Sequence, residues 1–401
     1  MNQTRDLYSI DKKKRILLVT LIFAIASLIG LFHKCSRYLY FFLCTHYQYT
    51  PFDMSYFSFI GSIIGVFIIQ KFGLKIVTFV SLTVFAVTVA LYGILWNTHW
   101  FSITEFLMQI SFALARCVVY IVPCVLFNGS YAALYMCVLH LFYNIGVFFG
   151  EPLIHYFETS EFMGHYDAFL IFTILACLLL VAVYFTDFNT INVIRSECTN
   201  YRFTKVIREP IIYVFGSLMA VIFIINGYSI DYCMNYITTY SSFDINTWSM
   251  VSDIIACVSL LVFGAFADKI NQFKLMYSIF LTVIISAILS LFFSSLSPYF
   301  MFFMSLTVYL CLPLFLTCIM AIYGTDSNVP LSVIYVIGEF FYNLLNELVN
   351  YLMHHAQLSI IVLFVLSCLG FLLVYIVFKI HKRNNVTLDD ELFSSLQFAS
   401  L

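Results

Sequence analysis

Apolar residues run in blocks of about twenty along most of the chain, and short polar stretches separate them. A helix needs about 20 apolar residues to cross the hydrocarbon core of a bilayer. Twelve segments reach or approach that length: 16–44, 52–70, 75–95, 101–127, 131–156, 167–186, 210–236, 248–267, 275–295, 298–323, 331–353 and 357–379. The pattern predicts an all-α membrane protein with twelve transmembrane helices, numbered here as spans 1 to 12. Span 1 is too long for a cleaved signal peptide and has no small-residue cleavage site, so it is expected to be retained.

Polar residues divide the chain in two. The stretch "DFNTINVIRSECTNYRFTKVIRE", residues 187–209, is the one long break and leaves six spans on each side. The expected units are a six-helix half at 1–186, a cytoplasmic linker at 187–209, a second six-helix half at 210–379 and a cytoplasmic tail at 380–401.

Composition agrees with this frame. Of 401 residues, 62% are hydrophobic and 10% charged, against about 25% charged in a soluble domain. A net charge of -2 gives no reason to expect a nucleic-acid partner. The twelve cysteines are scattered without a CxxC pair or a cluster at metal-ligand spacing, so they read as small buried hydrophobes and no metal or cofactor is expected.

Charge is informative through its placement. Sixteen of the nineteen Lys and Arg fall at the N-terminus, in the 2–3 loop, in the central linker, in the 8–9 loop and at the C-terminus. Cytoplasmic loops collect Lys and Arg, so both termini are expected in the cytosol, in a multi-pass protein of the plasma membrane. The opposite loops hold Trp96, Trp100 and Trp248 and the acidic stretch "ETSEFMGHYD".

Three cations remain inside spans: Lys34 and Arg37 on span 1, and Arg116 on span 4. Lys34 and Arg37 are three apart and share a helix face. Lys34 sits about 28 Å along the axis from Arg15, in the outer half of a long helix, where it could instead snorkel to the headgroups. Arg116 lies about 16 Å from Glu105 along its own helix. A charge there faces protein or a wet cavity, since lipid exposure costs at least about 2.5 kcal/mol. On span 11, Glu339, Asn343, Asn346, Glu347 and Asn350 form one stripe, which must also face protein or water. The competing reading for this stripe is helix-helix glue. His33 and His140 are candidate proton relays, although lone histidines are more often core residues.

Two inner turns form a weak internal repeat, "GVFIIQKFGLK" after span 2 and "GAFADKINQFK" after span 8. They resemble the loop motif of the major facilitator superfamily. Gly264, Asp268 and Lys269 fit it, Asn271 stands where a later Gly is usual, and Gln70 stands where the first copy should have Asp. The resemblance implies two halves rocking about a midplane substrate site, driven by secondary transport with a proton or counter-anion as coupling partner.

Within that superfamily, several stretches resemble the reduced folate carrier family of folate and thiamine transporters. They are "SFIGSIIGVFII" in span 2, "VSDIIACVSLLVFG" in span 8, "NGY" at Asn226 to Tyr228, and "ALARCVVY" in span 4. The last places Arg116 where folate carriers read A-A-R-I-A-Y, whereas thiamine carriers have an acidic residue in place of Arg. Lys34 fits the family's basic position in span 1, but Arg37 stands where it has Glu. Leu310 stands where folate carriers have Arg, and Asn346 where they have Lys and thiamine carriers Gln. Lys34, Arg37, Arg116, Tyr120, Glu339, Asn343 and Asn346 are therefore the candidate substrate-binding residues, for a small anionic organic solute such as a folate-like vitamin. The alternatives are a thiamine carrier, or an organophosphate or sugar-phosphate antiporter, which "TPFDM" and "GYSIDYCMNYI" resemble. In the antiporter reading Lys34 would replace one phosphate-clamping arginine and Asn226 the other. A receptor that transports nothing is the alternative from another class. No H-x-x-x-x-D, G-x-S-x-G or Gly-rich phosphate loop occurs, so no enzyme activity is expected.

The charge sorting predicts a labelling pattern. In intact cells, an impermeant thiol reagent applied outside should modify a cysteine introduced within 160–164 and leave Cys198 untouched until the membrane is permeabilised.

Overall fold

The computed structural model describes residues 12–47, 58–95, 100–126, 132–159, 165–186, 203–240, 245–323, 328–352 and 356–398. Trp96, residues 160–164 of the acidic stretch and most of the central linker lie outside them. Nine helices among the described residues are long and apolar enough to cross a membrane, and three shorter apolar helices occupy the positions of spans 2, 6 and 8. Each of the twelve expected spans thus has its helix, and the protein is all-α with six spans in each half. Large apolar side chains point outward all along these helices, among them Leu178, Val262, Leu281 and Leu372. In a bilayer that outer surface meets lipid, while the helices keep their backbone hydrogen bonds to themselves.

Several boundaries differ from the apolar runs. Span 1 runs Lys12–Tyr47, so its helix continues through Lys34 and Arg37. Span 2 covers Ser58–Phe72 and span 3 Leu74–Leu95, leaving Gly73 alone between them. Gly73 has φ 91°, and its N–H donates to the Ile69 carbonyl at 3.1 Å. A side chain at that φ is strained, and glycine tolerates it. The second copy of the repeat solves the same turn differently. Asn271 has φ -60° and caps span 9, its Oδ1 accepting from the N–H groups of Phe273 and Lys274 at 3.1 and 3.2 Å. The Asn in place of Gly is therefore an N-cap in place of a left-handed turn.

Span 10 is broken into Ser297–Tyr309 and Cys311–Tyr323. Pro313 is the cause, because it has no N–H for the Tyr309 carbonyl four residues back and its ring crowds that carbonyl. Span 12 runs Ala356–Phe398, well past the end of its apolar run at 379.

Within the first half, spans 1 and 5 pack along much of their length. Ser27 Oγ donates to the Phe142 carbonyl at 2.9 Å, and Phe23 stacks on Phe142 at 4.8 Å. Within the second half, span 7 packs on spans 10, 11 and 12. Ser305 Oγ donates to Asn226 Oδ1 at 2.9 Å there. The halves meet along two seams, span 2 against span 11 and span 5 against span 8, and spans 4, 5, 10 and 11 add contacts between them.

Replacing Gly73 by Ala should destabilise the protein by at least about 1 kcal/mol, because a non-glycine residue is strained at positive φ. The melting temperature of the purified variant checks this, and Gly73→Asn should cost less.

Candidate functional site

Where the halves meet, polar side chains collect in a membrane protein that has few of them. Four spans contribute to one aromatic layer. Tyr120 of span 4 stacks on Tyr335 of span 11, with centroids 5.5 Å apart and planes at 11°. Tyr120 also meets His140 of span 5, at 5.4 Å. His140 meets the edge of Tyr309 of span 10 at 6.4 Å, and Tyr309 donates its hydroxyl to Asn144 Oδ1 at 2.7 Å. His140 and Asn144 are one turn apart on span 5, so one helix face presents both. The layer thus ties spans 4 and 5 of the first half to spans 10 and 11 of the second.

His140 is 3% exposed. Its Nδ1 lies 2.9 Å from the Met136 carbonyl, which makes Nδ1 the protonated nitrogen of the neutral ring. Nε2 is buried without a hydrogen-bond partner among the described residues.

One turn beyond Tyr335, Glu339 is 5% exposed, and Ser62 Oγ of span 2 donates to its Oε2 at 3.3 Å. This contact also crosses between the halves. Further along span 11, Asn346 turns back into its own half, where Tyr228 donates to its Oδ1 at 3.1 Å. Asn343 is half-buried between these levels. The stripe read from the sequence is therefore divided. Its Glu339 end joins the halves, and its Asn346 end joins spans 11 and 7 as helix-helix glue. Glu347 sits about 80° round the helix from Glu339 and is exposed, in line with Leu344 and Leu348. It does not share the buried face expected of it.

The candidate cations lie on spans 1 and 4. Lys34 is half-buried, and its stem lies over Gly150 of span 5, where an added Cβ would come within 2.7 Å of Lys34 Cβ. Its stem therefore runs along protein. The preceding His33 packs its ring on Phe112 and Tyr143 at 5.7 and 6.4 Å. Arg37 and Arg116 are helical, and their side chains lie outside the described atoms. Glu105, the acid on Arg116's own span, is occupied elsewhere: Tyr92 donates to one carboxylate oxygen and Gln109 Nε2 to the other at 2.7 Å.

The loop motif forms a further link between the halves. Asp268, at the end of span 8, accepts from the N–H groups of Ala133 and Leu134 at 2.8 and 3.0 Å. These are among the first N–H groups of span 5, which starts at Ala132, so the carboxylate caps a helix that leaves them unpaired. Gly264 lies one turn earlier, and a Cβ there would come within 2.8 Å of Cys137 Cβ. Its lack of a side chain lets spans 8 and 5 approach. Lys269 is exposed, with Nζ 6.0 Å from the Phe266 ring.

Sequence reading singled out Tyr120, Glu339 and Asp268, all of which lie at contacts between the halves. It missed Ser62, Asn144, Tyr309 and Tyr335. A signal existed for some of them, since His140 and Asn144, Tyr335 and Glu339, and Arg116 and Tyr120 are all pairs four residues apart.

The Asp268 link has a measurable consequence. Asp268→Ala removes two charge-assisted hydrogen bonds and should weaken the contact between spans 5 and 8 by about 1.5 to 3 kcal/mol. Cys137, 1% exposed and packed against Gly264, should then react faster with N-ethylmaleimide. Mass spectrometry of the purified full chain reads this directly, and Tyr309→Phe should act in the same direction with a smaller effect.

Known structures of similar shape are transporters. The chain resembles the fucose:proton symporter FucP of E. coli with a TM-score of 0.66 at 14% identity, covering 92% of this chain and 98% of that one. It resembles the proton:xylose symporter XylE with a TM-score of 0.69 at 12% identity, covering 90% and 95%. The human organic anion transporter MFSD10 gives 0.66 at 12% identity, covering 92% and 100%. At these identities the likeness establishes the fold. No curated protein sequence matches the chain. The sequence itself matches the Major Facilitator Superfamily over residues 54–344. With that match spanning most of a twelve-helix chain whose halves meet along paired seams, the protein belongs to the Major Facilitator Superfamily and is an integral, multi-pass secondary transporter.

Proposed function

We propose that the protein carries a small anionic organic solute across the membrane by alternating access, with Lys34, Arg37 and Arg116 drawing the solute's carboxylate or phosphate between the halves. The observation that supports this reading is the placement of charge. Three of nineteen basic residues lie within spans, and they are confined to spans 1 and 4 of one half. Cations are expensive in that setting and are kept where they act on a charge. Tyr120 and Asn343, beside the seam, are the proposed aromatic and amide contacts of the solute.

A folate-like vitamin is the substrate we favour, because the span 4 stretch carries Arg where folate carriers do. The fucose and xylose symporters of similar fold make neutral sugars the natural control, and the organic anion transporter is a precedent for an anion on this architecture. For an organophosphate antiporter the second clamp position falls on Asn226, whose Oδ1 already accepts from Ser305. That occupation favours the vitamin reading. The basic loops support the proposed orientation, with both termini in the cytosol of a plasma-membrane protein and units at 1–186, 210–379 and a tail at 380–401. The seam closed by Asp268 then lies on the cytosolic side.

A thermal-shift series on the purified full chain tests the proposal, since a bound ligand raises apparent stability as RT ln(1 + [L]/Kd). Folate should raise the melting temperature where fucose and thiamine do not, with glucose 6-sulfate as the probe for the sugar-phosphate alternative. Arg116→Ala should weaken binding of the active anion by about 2 kcal/mol or more, the worth of a charge-assisted hydrogen bond away from water. Arg116→Lys should restore part of it, because a point charge lacks the planar fork. Unchanged affinity with a lowered melting temperature would give Arg116 a purely structural role.

A further inference from the structure

Spans 9 and 12 lie side by side and run in opposite directions, and span 9 begins where span 12 leaves the membrane, on the side that carries Asp268. There the Phe273 ring stacks on His381 at 4.8 Å with planes at 27°. One residue past that contact stand Lys274 on span 9 and Lys382 on span 12. In antiparallel helices these two steps turn toward the same side of the pair. Deeper on that side, aromatic rings line the groove between the helices: Tyr277 meets Phe371, Phe378 and Tyr375 with centroids 5.2, 6.0 and 6.5 Å away. Lys379 Nζ lies 5.4 Å from the centre of the Tyr375 ring. An aromatic groove thus runs beneath three exposed lysines.

The groove continues into surface that meets lipid. On span 9 the exposed stripe reads Lys274, Ser278, Leu281 and Ile285, and on span 12 it reads Lys382, Lys379, Tyr375, Leu372 and Val365. Both stripes pass from apolar to charged at the same end, the level of the headgroups. Among the described residues no carboxylate pairs with any of the three lysines. The next acids on the helix of span 12 are Asp389, Asp390 and Glu391, which start about 10 Å beyond Lys382 along the axis. The matching corner of the first half is built differently. Lys75 of span 3 donates to the Tyr184 carbonyl at the end of span 6, at 2.9 Å, so that lysine is held by protein.

We infer that the corner of spans 9 and 12 binds the headgroup of an anionic phospholipid, with Lys274, Lys379 and Lys382 around the phosphate and an acyl chain along Tyr375 and Leu372. Ammonium groups on flexible stems act on a phosphate as point charges and adjust to its position. Tyrosine suits the level just below, where one end of the ring is apolar and the other wet. The apolar stripes beneath then take the chain, which a free phosphate compound lacks. On the proposed orientation this corner faces the cytosolic leaflet, where anionic lipids attract basic clusters beside a span. The site is separate from the seam between the halves, and it stands whatever solute the protein carries.

Native mass spectrometry of the purified full chain in detergent tests this, with dioleoyl phosphatidylglycerol and dioleoyl phosphatidylcholine as probes. Each basic residue beside an anionic headgroup contributes about fivefold in affinity, so the wild type should bind the first lipid about tenfold or more tighter than the second. Lys274→Gln, Lys379→Gln and Lys382→Gln together should remove that preference for the tightest-bound lipid. Lys71→Gln, Lys205→Gln and Arg208→Gln together make the same charge change at exposed cations elsewhere on that side, and should leave the preference in place. Where the first triple variant does not fold, its three single variants decide, each expected to bind phosphatidylglycerol about fivefold more weakly. Glycerol 1-phosphate in excess should not displace the lipid. A preference that survives the first set of variants, or falls equally in both sets, belongs to the whole basic surface and overturns the inference. Displacement by glycerol 1-phosphate makes the corner a site for a free phosphate compound, and a dimer lost only in the first set gives it to a second copy of the chain; either result overturns the inference too.

Discussion

A bilayer core holds no water to accept a hydrogen bond, and this single constraint orders the molecule. Backbone N–H and C=O groups must be satisfied within each helix, so the chain crosses the membrane as helices alone. The usual rule for side chains is inverted as well. Leu178, Leu281 and Leu372 lie outside, while the polar groups that remain in the spans must find partners in protein. A polar contact here is thus a statement about which helices meet: Ser62 with Glu339 joins spans 2 and 11, Tyr309 with Asn144 joins spans 10 and 5, and Asp268 joins span 8 to the start of span 5.

These contacts suit a protein whose halves must separate and rejoin. The neutral hydrogen bonds among them are worth about 0.5 to 1.5 kcal/mol net each, and those accepted by the Asp268 carboxylate somewhat more. The interior of each half is built differently, with spans 1 and 5 or 7 and 11 packed through apolar side chains along their length. Dispersion and close packing resist gradual deformation, so motion is directed to the seam. The break of span 10 at Leu310, forced by Pro313, lies next to Tyr309, one of the seam's donors.

The twelve helices were legible in the sequence because their signal is local: about twenty apolar residues in a row. Boundaries were less so. Span 1 continues to Tyr47 past two cations, because helix continuity depends on backbone bonding and the apolar run stops short of it. Pro313 was visible in the sequence, but its effect falls four residues earlier, at Tyr309 and Leu310. Asn271 read as a departure from the loop motif and turned out to be a cap. The site was legible only in part for the same reason. Periodicity shows that Glu339, Asn343 and Asn346 share a face of span 11, but not that Glu339 meets span 2 while Asn346 meets span 7. Which distant helices touch is a property of assembly, and no local pattern encodes it.

Arg116 brings these arguments together. An ionised group in the middle of a span needs a charge close by, and Glu105 on the same helix has both carboxylate oxygens engaged by Tyr92 and Gln109. The compensating charge must then come from another helix or from solution. The stacked Tyr120 and Tyr335 set span 11 as a helix facing span 4. On the proposed reading, a cation that holds a solute between the halves couples two events that are otherwise separate, closure of the seam and occupation of the site. Coupling of that kind is what a secondary transporter requires, since a solute must alter the balance between its two arrangements to be carried by their exchange.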